Sequence, residues 1–515
     1  MNQDAVTIPK SVTPAPPEKG HPKGLYVLFA TEMWERFNYY GMRAILILFM
    51  TQALLFDKVF ASNLYGSYTS LVYLTPLLGG FIADRYWGNK RSIIAGGIVM
   101  AIGEFVLFFC ASLYNSAPGL SSILFFTGLG LMIAGNGFFK PNISSMVGQL
   151  YPKGDRRIDA AYTIFYMGIN VGGALGPFIC GLVGNTGNPA DFKWAFLAAG
   201  IGMCLSVIVQ KVFQSKYVKS PEGHSLGDVP ASAPKQFSNP LFIVLGFLLF
   251  SAVMIGALYV DARVFSYMSY LLIACVLFIA FVIFADKSLN KVERQRIGVI
   301  FIVAFFVIFF WSAFEQAGAS LTFFADEQTQ RDLGFFVVPA SWFQSLNSIF
   351  VIIFAPVFAW MWLKMGRREP ASPTKMAIGL LLLAIGYVWI AFGVKDVQPN
   401  VKVSMIWLIG MYALHTWGEL ALSPIGLSLV NKLAPLKFAS LLMAVWFLAN
   451  AAANKLAGVL SALYPENGKT TYFLGYQMNN MYDFFMLFVF MAGLASLILF
   501  LLTRQLQKMM HTKVA

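Results

Sequence analysis

The sequence predicts an all-α integral membrane protein with fourteen transmembrane helices, grouped as six, an inserted pair, and six more. Three observations carry this expectation. Hydrophobic residues make up 58% of the chain and charged residues only 12%, and the mean hydropathy is +0.67, which excludes a soluble globular domain. A helix rising 1.5 Å per residue needs roughly 20 apolar residues to cross a bilayer, and runs of that length recur along the chain. Finally, roughly 26 of the 37 lysines and arginines fall on the side shared by both termini and about 7 on the other, which places both termini in the cytoplasm. That asymmetry also accounts for the net charge of +13. No nucleic-acid partner is expected, because such a partner calls for a concentrated basic face rather than short dispersed loops.

Residues 1–24 are polar and Pro-rich and have no apolar core before a small-residue cleavage site. They are expected to remain as a disordered cytoplasmic tail. The spans begin near Leu25, Leu64, Ser92, Ser121, Ala161 and Lys193, giving a first six-helix bundle over 25–214. Lys211 to Gln236, rich in Ser, Pro, Lys and Gly, reads as a flexible linker. Two spans beginning near Asn239 and Arg263 follow, and 215–296 is assigned to the linker and this inserted pair. The pair carries almost no internal charge and is expected to be peripheral. Spans beginning near Ile297, Ser341, Lys375, Val403, Phe438 and Asp483 form a second bundle over 297–503, and 504–515 is a cytoplasmic tail. Cys110, Cys180, Cys204 and Cys275 all lie in apolar runs without ligand-like spacing, so they are read as packing residues and no metal site is expected.

The first span is unusual. In "ATEMWERFNYYGMRAILILFM", Glu32, Glu35, Arg36, Tyr39, Tyr40 and Arg43 fall within an arc of about 140° on a helix, with Trp34, Phe37 and Gly41 opposite. Each charge at a helix centre costs about 2.5 to 3.5 kcal/mol against lipid, so this face must meet other helices or a water-filled cavity. Further ions lie in other spans: Glu104, Lys140, Glu315, Glu419 and Lys455. Alternating span direction puts Arg43 level with Glu315 in the outer half and Lys140 level with Glu419 in the inner half, the layout of two gates around a central site. Buried pairs contribute little to stability, which argues against a purely structural role. Lys455, near the outer end of its span, is expected to snorkel to the interface. Glu104 has no evident partner, and His415, one turn from Glu419, is read as a bundle residue. Asn170, Asn347 and Ser423 add hydrogen-bonding groups, and Tyr73, Trp311 and Trp446 add amphipathic walls. Together they describe a cavity for a small zwitterion with a peptide-like body.

The loop phrase "GGFIADRYWGNKR" resembles the cytoplasmic loop signature of the major facilitator superfamily. Joined by "EMWERFNYYG", "GNGFFKPNISSMVG", "FYMGINVGG", "FFWSAFEQAG", "ASWFQSLN", "WGELALSPIG" and "AVWFLAN", it makes the chain similar, over nearly its whole length, to bacterial proton-coupled oligopeptide transporters of the POT (PTR) family. The resemblance implies the major facilitator fold, two six-helix bundles plus two extra helices, and proton symport of di- and tripeptides, with peptide-like drugs as further substrates. It implies that Glu32, Glu35, Arg36 and Glu315 couple protons. Arg36, Arg43 and Lys140 would lie near the peptide carboxylate, Glu419 near its ammonium, and Asn170 and Asn347 on its backbone. Tyr40, Tyr73, Trp311 and Trp446 would line side-chain pockets, with Ser423 and Glu315 also at the site. The gates would be Arg43 with Glu315 and Lys140 with Glu419. Phe314 stands where many relatives have a second acid, and Ser92 where the loop signature has Thr, Ala or Val.

The expected partners are di- and tripeptides, protons and membrane lipid, with a monomer working in the bacterial inner membrane. No cofactor is expected beyond the proton gradient. A transporter of the same fold for nitrate, an amino acid or another organic ion is the alternative, although a simple anion would have little use for Glu419. An enzyme or ATP-driven pump is disfavoured, since the chain has no H-E-x-x-H and "LYPENGKTT" has Leu463 where a phosphate loop starts with Gly. A channel or receptor would need a continuous pore or a large sensing domain.

Overall fold

The structure is a computed structural model that describes residues 20–152, 154–230, 233–234, 239–264, 267–398, 401–466 and 469–511. The tail expected over 1–24 lies mostly outside these residues, as do part of the linker and the last four residues of the C-terminal tail.

The first bundle comprises α1 (Lys23–Leu48), α2 (Lys58–Ile82), α3 (Asn89–Leu113), α4 (Pro118–Gln149), α5 (Ile158–Gly184) and α6 (Phe192–Tyr217). The inserted pair is α7 (Pro240–Val264) and α8 (Tyr267–Phe284). The second bundle comprises α9 (Lys291–Phe314), α10 (Ser320–Glu327), α11 (Phe343–Met365), α12 (Ser372–Val394), α13 (Met405–Leu433), α14 (Ala439–Ser461) and α15 (Met481–Met510). Among the described residues, eleven helical segments are long and apolar enough to span a membrane, which makes the chain a multi-pass membrane protein. The long helices α1, α2 and α13 bring the total among the described residues to fourteen; α1, which carries Glu32, Glu35, Arg36 and Arg43, is the least apolar of the three.

Local chemistry starts these helices where the sequence changes character. The Asp57 carboxylate accepts from Phe60 N at 2.9 Å at the head of α2, and Asn290 with Glu293 forms a reciprocal capping box at the head of α9. Pro118 opens α4, where its missing N–H costs nothing. A departure from sequence expectation comes at "EQAG": the ninth span breaks into a 3₁₀ turn, Glu315–Gly318, and resumes as α10. Gly318 permits the break to lie against the first bundle, because a Cβ there would sit 1.8 Å from the Tyr65 hydroxyl.

Within the first bundle α1 packs on α5 and α6, and α4 on α2 and α3. Two seams join the bundles, α2 against α14 and α5 against α11. Ser62 and Ser461 meet at 3.0 Å, near the start of α2 and the end of α14. Chain direction therefore defines a far face, where α1 ends and α2 begins, opposite the terminal face where α1 begins and α15 ends. Small residues let the seams close: a Cβ on Gly66 would lie 2.7 Å from Gly458 Cα. On the far face, Thr471–Phe473 and Tyr476–Met478 form a hairpin turning at Leu474 and Gly475, both at positive φ.

Three expectations are corrected here. The described part of the linker is ordered: α6 runs to Tyr217, Lys219 bridges Ser225, and Gly227 O accepts from Lys90 N at 2.9 Å in the α2–α3 connection. Lys455 does not snorkel; it is 2% exposed and paired with Asp261 at 2.6 Å. Asp261 belongs to α7, so the inserted pair does carry a buried ion.

Close packing inside the first bundle yields a stability prediction. A Cβ on Gly79 would lie 2.0 Å from Gly137 O, whereas one on the neighbouring Gly80 would meet Pro141 only at 3.4 Å. Gly79→Ala should destabilise the protein by about 1 to 3 kcal/mol through overpacking, and Gly80→Ala should not. Thermal unfolding midpoints of the two purified variants in detergent check this; equal midpoints would contradict it.

Candidate functional site

The ionisable face of α1 is turned into the interior. Glu32, Glu35 and Arg36 are each at most 2% exposed. Arg36 Nε lies 3.0 Å from Glu32 Oε1 and 2.5 Å from Glu35 Oε2, and Asn136 Nδ2 donates to Glu35 Oε1 at 3.2 Å. Lys140, one turn beyond Asn136 on α4, is near enough to act electrostatically on both carboxylates. Two acids and two bases therefore share this region: Glu32, Glu35 and Arg36 are held by one another and by Asn136, away from water, while Lys140 is partly exposed at the cavity. The Arg36 guanidinium stands 5.5 Å and 5.9 Å from the Tyr39 and Tyr40 rings, while Arg43 stands 5.9 Å and 5.3 Å from the same two. The tyrosines thus separate two cations while attracting both.

Residues from both bundles enclose a cavity of about 280 Å³, near the small end of ligand pockets. The first bundle contributes Glu32, Arg36, Tyr40, Tyr73, Lys140 and Asn170; the second contributes Trp311, Asn347, Glu419, Ser423 and Trp446. The two walls differ in charge. Arg36 and Lys140 outweigh the single carboxylate of Glu32 on the first, two cations against one acid, and leave it basic; Arg36 Nη2 is buried with no hydrogen-bond partner among the described residues. Glu419 makes the other acidic. Asn347 Nδ2 donates to Glu419 Oε2 at 2.8 Å and lies 3.1 Å from Thr416 Oγ1, which fixes the carboxylate's orientation. The Lys140 ammonium lies 4.5 Å from the Tyr73 ring centroid. Asn170 Nδ2 is occupied by its own helix, donating to Tyr166 O at 2.9 Å.

Glu35, Arg43 and Glu315 lie outside this cavity. Glu35 is buried behind Arg36. Arg43 lines a smaller adjoining recess with Tyr40 and Asn347, and its Nη1 donates to Glu315 Oε2 at 2.9 Å. This ion pair joins the bundles on the far side. Around it Lys58 pairs with Glu327 at 2.6 Å, Gln52 Nε2 donates to Asp326 at 2.8 Å, and Ser345 Oγ donates to Ala174 O at 2.8 Å. On the terminal side, by contrast, Lys140 and Glu419 line the cavity without an ion pair between them.

Several residues had escaped the sequence reading. Tyr166, Ser348 and Asn450 also line the cavity, and Asn136 holds Glu35. Tyr166 lies one turn before Asn170, and Asn136 one turn before Lys140, so helical spacing alone was a usable signal for both. Glu104 does have a partner: Asn38 Nδ2 donates to Glu104 Oε1 at 2.9 Å and to Ala199 O at 3.0 Å. Asn38 falls outside the ionisable arc of α1, which hid the pairing. His415 is 3% exposed and packs on Tyr387 at a ring separation of 4.7 Å. No group of residues able to hold a metal ion occurs among the described residues.

The POT family model matches residues 90–477. The chain is 37% identical to a Bacillus subtilis protein described as the uncharacterized transporter YclF, over 90% of this chain and 93% of that one. It is 34% identical to the peptide transporter YePEPT of Yersinia enterocolitica, covering 86% and 88%, and 32% identical to a di-/tripeptide transporter of Lactococcus lactis, covering 88% and 92%. Among solved structures, it resembles a mutant of peptide transporter POT in complex with alafosfalin, with a TM-score of 0.81 and 32% identity over 97% of this chain and 98% of that one. It also resembles a POT family transporter in complex with 5-aminolevulinic acid, with a TM-score of 0.79 and 30% identity over 95% and 98%.

Proposed function

The chain belongs to the POT family and is thus a secondary transporter rather than an enzyme, and we propose that it imports di- and tripeptides with protons by alternating access. The observation that carries this reading is the opposed charge of the two cavity walls, Arg36 and Lys140 against Glu419. A peptide's carboxylate and ammonium suit those walls in one orientation, so the bound substrate bridges the bundles. A simple anion would leave Glu419 buried and uncompensated.

Each half of the cycle follows from charge. The bundles are tied at the far face by Arg43 and Glu315 and are unpaired at Lys140 and Glu419, an arrangement suited to release at the terminal face. By the positive-inside rule the terminal face is cytoplasmic, and the setting is the bacterial inner membrane. Protonation of Glu315 removes its attraction for Arg43 and lets the far face open. Peptide arriving there draws the bundles together through its two ends. The proton then passes inward by way of the Glu32, Glu35 and Arg36 cluster. A ligand shifts such an equilibrium only through its different affinity for the two states, and the bridging peptide has that difference. The proton gradient is the energy source, no cofactor takes part, and the working unit is a monomer in lipid. Peptide-like drugs with the same charged ends enter by the same route.

Uptake of labelled dialanine into proteoliposomes tests this. Unlabelled di- and tripeptides should compete strongly, and free amino acids and tetrapeptides poorly. Collapsing the gradient with an ionophore should abolish accumulation. Unchanged accumulation would refute symport, and competition by nitrate or an amino acid instead of peptides would favour another solute.

A further inference from the structure

The buried ion in the inserted pair stands at an unexpected junction. Asp261, in the last turn of α7, is 2% exposed. Its Oδ1 accepts from Met268 N at 2.9 Å, closing the α7–α8 hairpin. Its Oδ2 accepts from Lys455 Nζ of α14 at 2.6 Å and from Ser67 Oγ of α2. Lys455 Nζ also donates to Ser67 Oγ at 2.7 Å. One carboxylate therefore holds together the hairpin, the first bundle and the second bundle.

The junction lies beside the seam that has to part. Ser67 follows Gly66, the residue against Gly458, and Lys455 precedes Gly458 by about one turn. The inserted helices straddle that seam: α7 packs on α2 and α4, and α8 packs on α14. At the terminal side Lys437, leading into α14, pairs with Asp286 after α8 at 2.5 Å. The hairpin is thus fastened to the second bundle at both ends and to the first along α7. Separation of α2 from α14 at the far face breaks the three-way contact, because Ser67 moves with α2 and Lys455 with α14. Arg263, two residues from Asp261, is turned to Tyr259, with its guanidinium 4.4 Å from the ring centroid.

We propose that the inserted hairpin is a strap across the α2–α14 seam, and that Asp261, Lys455 and Ser67 form its latch, which holds the far face closed. The proposal rests on the alternating-access reading above but not on the identity of the solute. Asp261 is a positioning residue here: it touches no substrate, and it acts on which face is open.

Spin labels at Asn115, after α3, and Lys395, after α12, report separation of the bundles at the far face in the full-length protein. Asp261→Asn and Lys455→Met should each raise the fraction of long distances relative to short ones roughly tenfold without substrate, within the range of ordinary coupling energies. The double variant should add little to either single change, since the two residues act through one contact. Ser67→Ala leaves the ion pair and the hairpin in place and should give a smaller rise, which keeps the test decisive where loss of the ion pair prevents folding. Wild-type distances in Ser67→Ala and in whichever ion-pair variant folds would overturn the latch, even with normal dialanine uptake. Longer distances in the variants of a protein that carries no dialanine would uphold the latch and sink the peptide reading.

Discussion

Glu315→Gln should abolish gradient-driven accumulation of peptide while leaving exchange of labelled for unlabelled peptide across the membrane. The wild-type carboxylate lies 2.9 Å from Arg43 Nη1 and binds the two bundles at the far face. Glutamine mimics its protonated form permanently, so the far face no longer responds to protons. One proton crossing with each peptide through 100 mV supplies about 2.3 kcal/mol, and at 1.4 kcal/mol per factor of ten this supports roughly 50-fold accumulation. The variant should accumulate nothing above equilibrium. Because Glu315 does not line the cavity, peptide affinity should change little by comparison. Uptake under an imposed gradient, alongside counterflow without one, measures both. Normal accumulation would show that Glu315 is not the responding group.

Glu419→Gln should fail differently, through binding. Glu419 sits on the cavity wall opposite Arg36 and Lys140, with its carboxylate oriented by Asn347. Losing a charge-assisted hydrogen bond to the peptide ammonium costs about 1.5 to 3 kcal/mol, or roughly 10- to 150-fold in affinity. Counterflow should fall with affinity and recover at high peptide concentration. A dipeptide whose amino terminus is acetylated, already weak on the wild type, should lose little more on the variant. Equal affinity losses in the Glu315 and Glu419 variants would refute the separation of gate from binding wall.

The division of the chain into helices was legible because lipid demands long apolar runs, and the spans begin within about six residues of the apolar starts read from the sequence. The charged side of α1 was legible for the same reason, since an ion in a span must be hidden from lipid. Levels were readable too: span direction alone put Arg43 beside Glu315. Rotation about a helix axis was less accessible. Asn38 and Asn136 are ordinary polar residues until the turn of α1 against α3 and α4 brings each to a carboxylate. The break after Phe314 carries no proline, and what the sequence hides is the close approach of Gly318 to Tyr65 in the other bundle, which only a residue without a Cβ permits. Lys455 looked like a residue at the end of a span, free to reach the interface, and the inserted pair looked almost free of charge, so Asp261 did not stand out. Only the passage of the hairpin over the α2–α14 seam turns them into a buried pair.

The glycine contact in that seam also governs kinetics. Where Gly66 meets Gly458, backbone faces backbone, with no interlocking side chains to change rotamer before the surfaces move. Such a joint offers little friction. The resistance to opening then resides in the polar groups around it, among them the ion pair of Lys455 with Asp261, which protons can weaken. A crossing built from leucines would have carried its own barrier, the same at every stage of the cycle and deaf to the solutes on either side. The smooth joint leaves the timing of each turnover to chemistry.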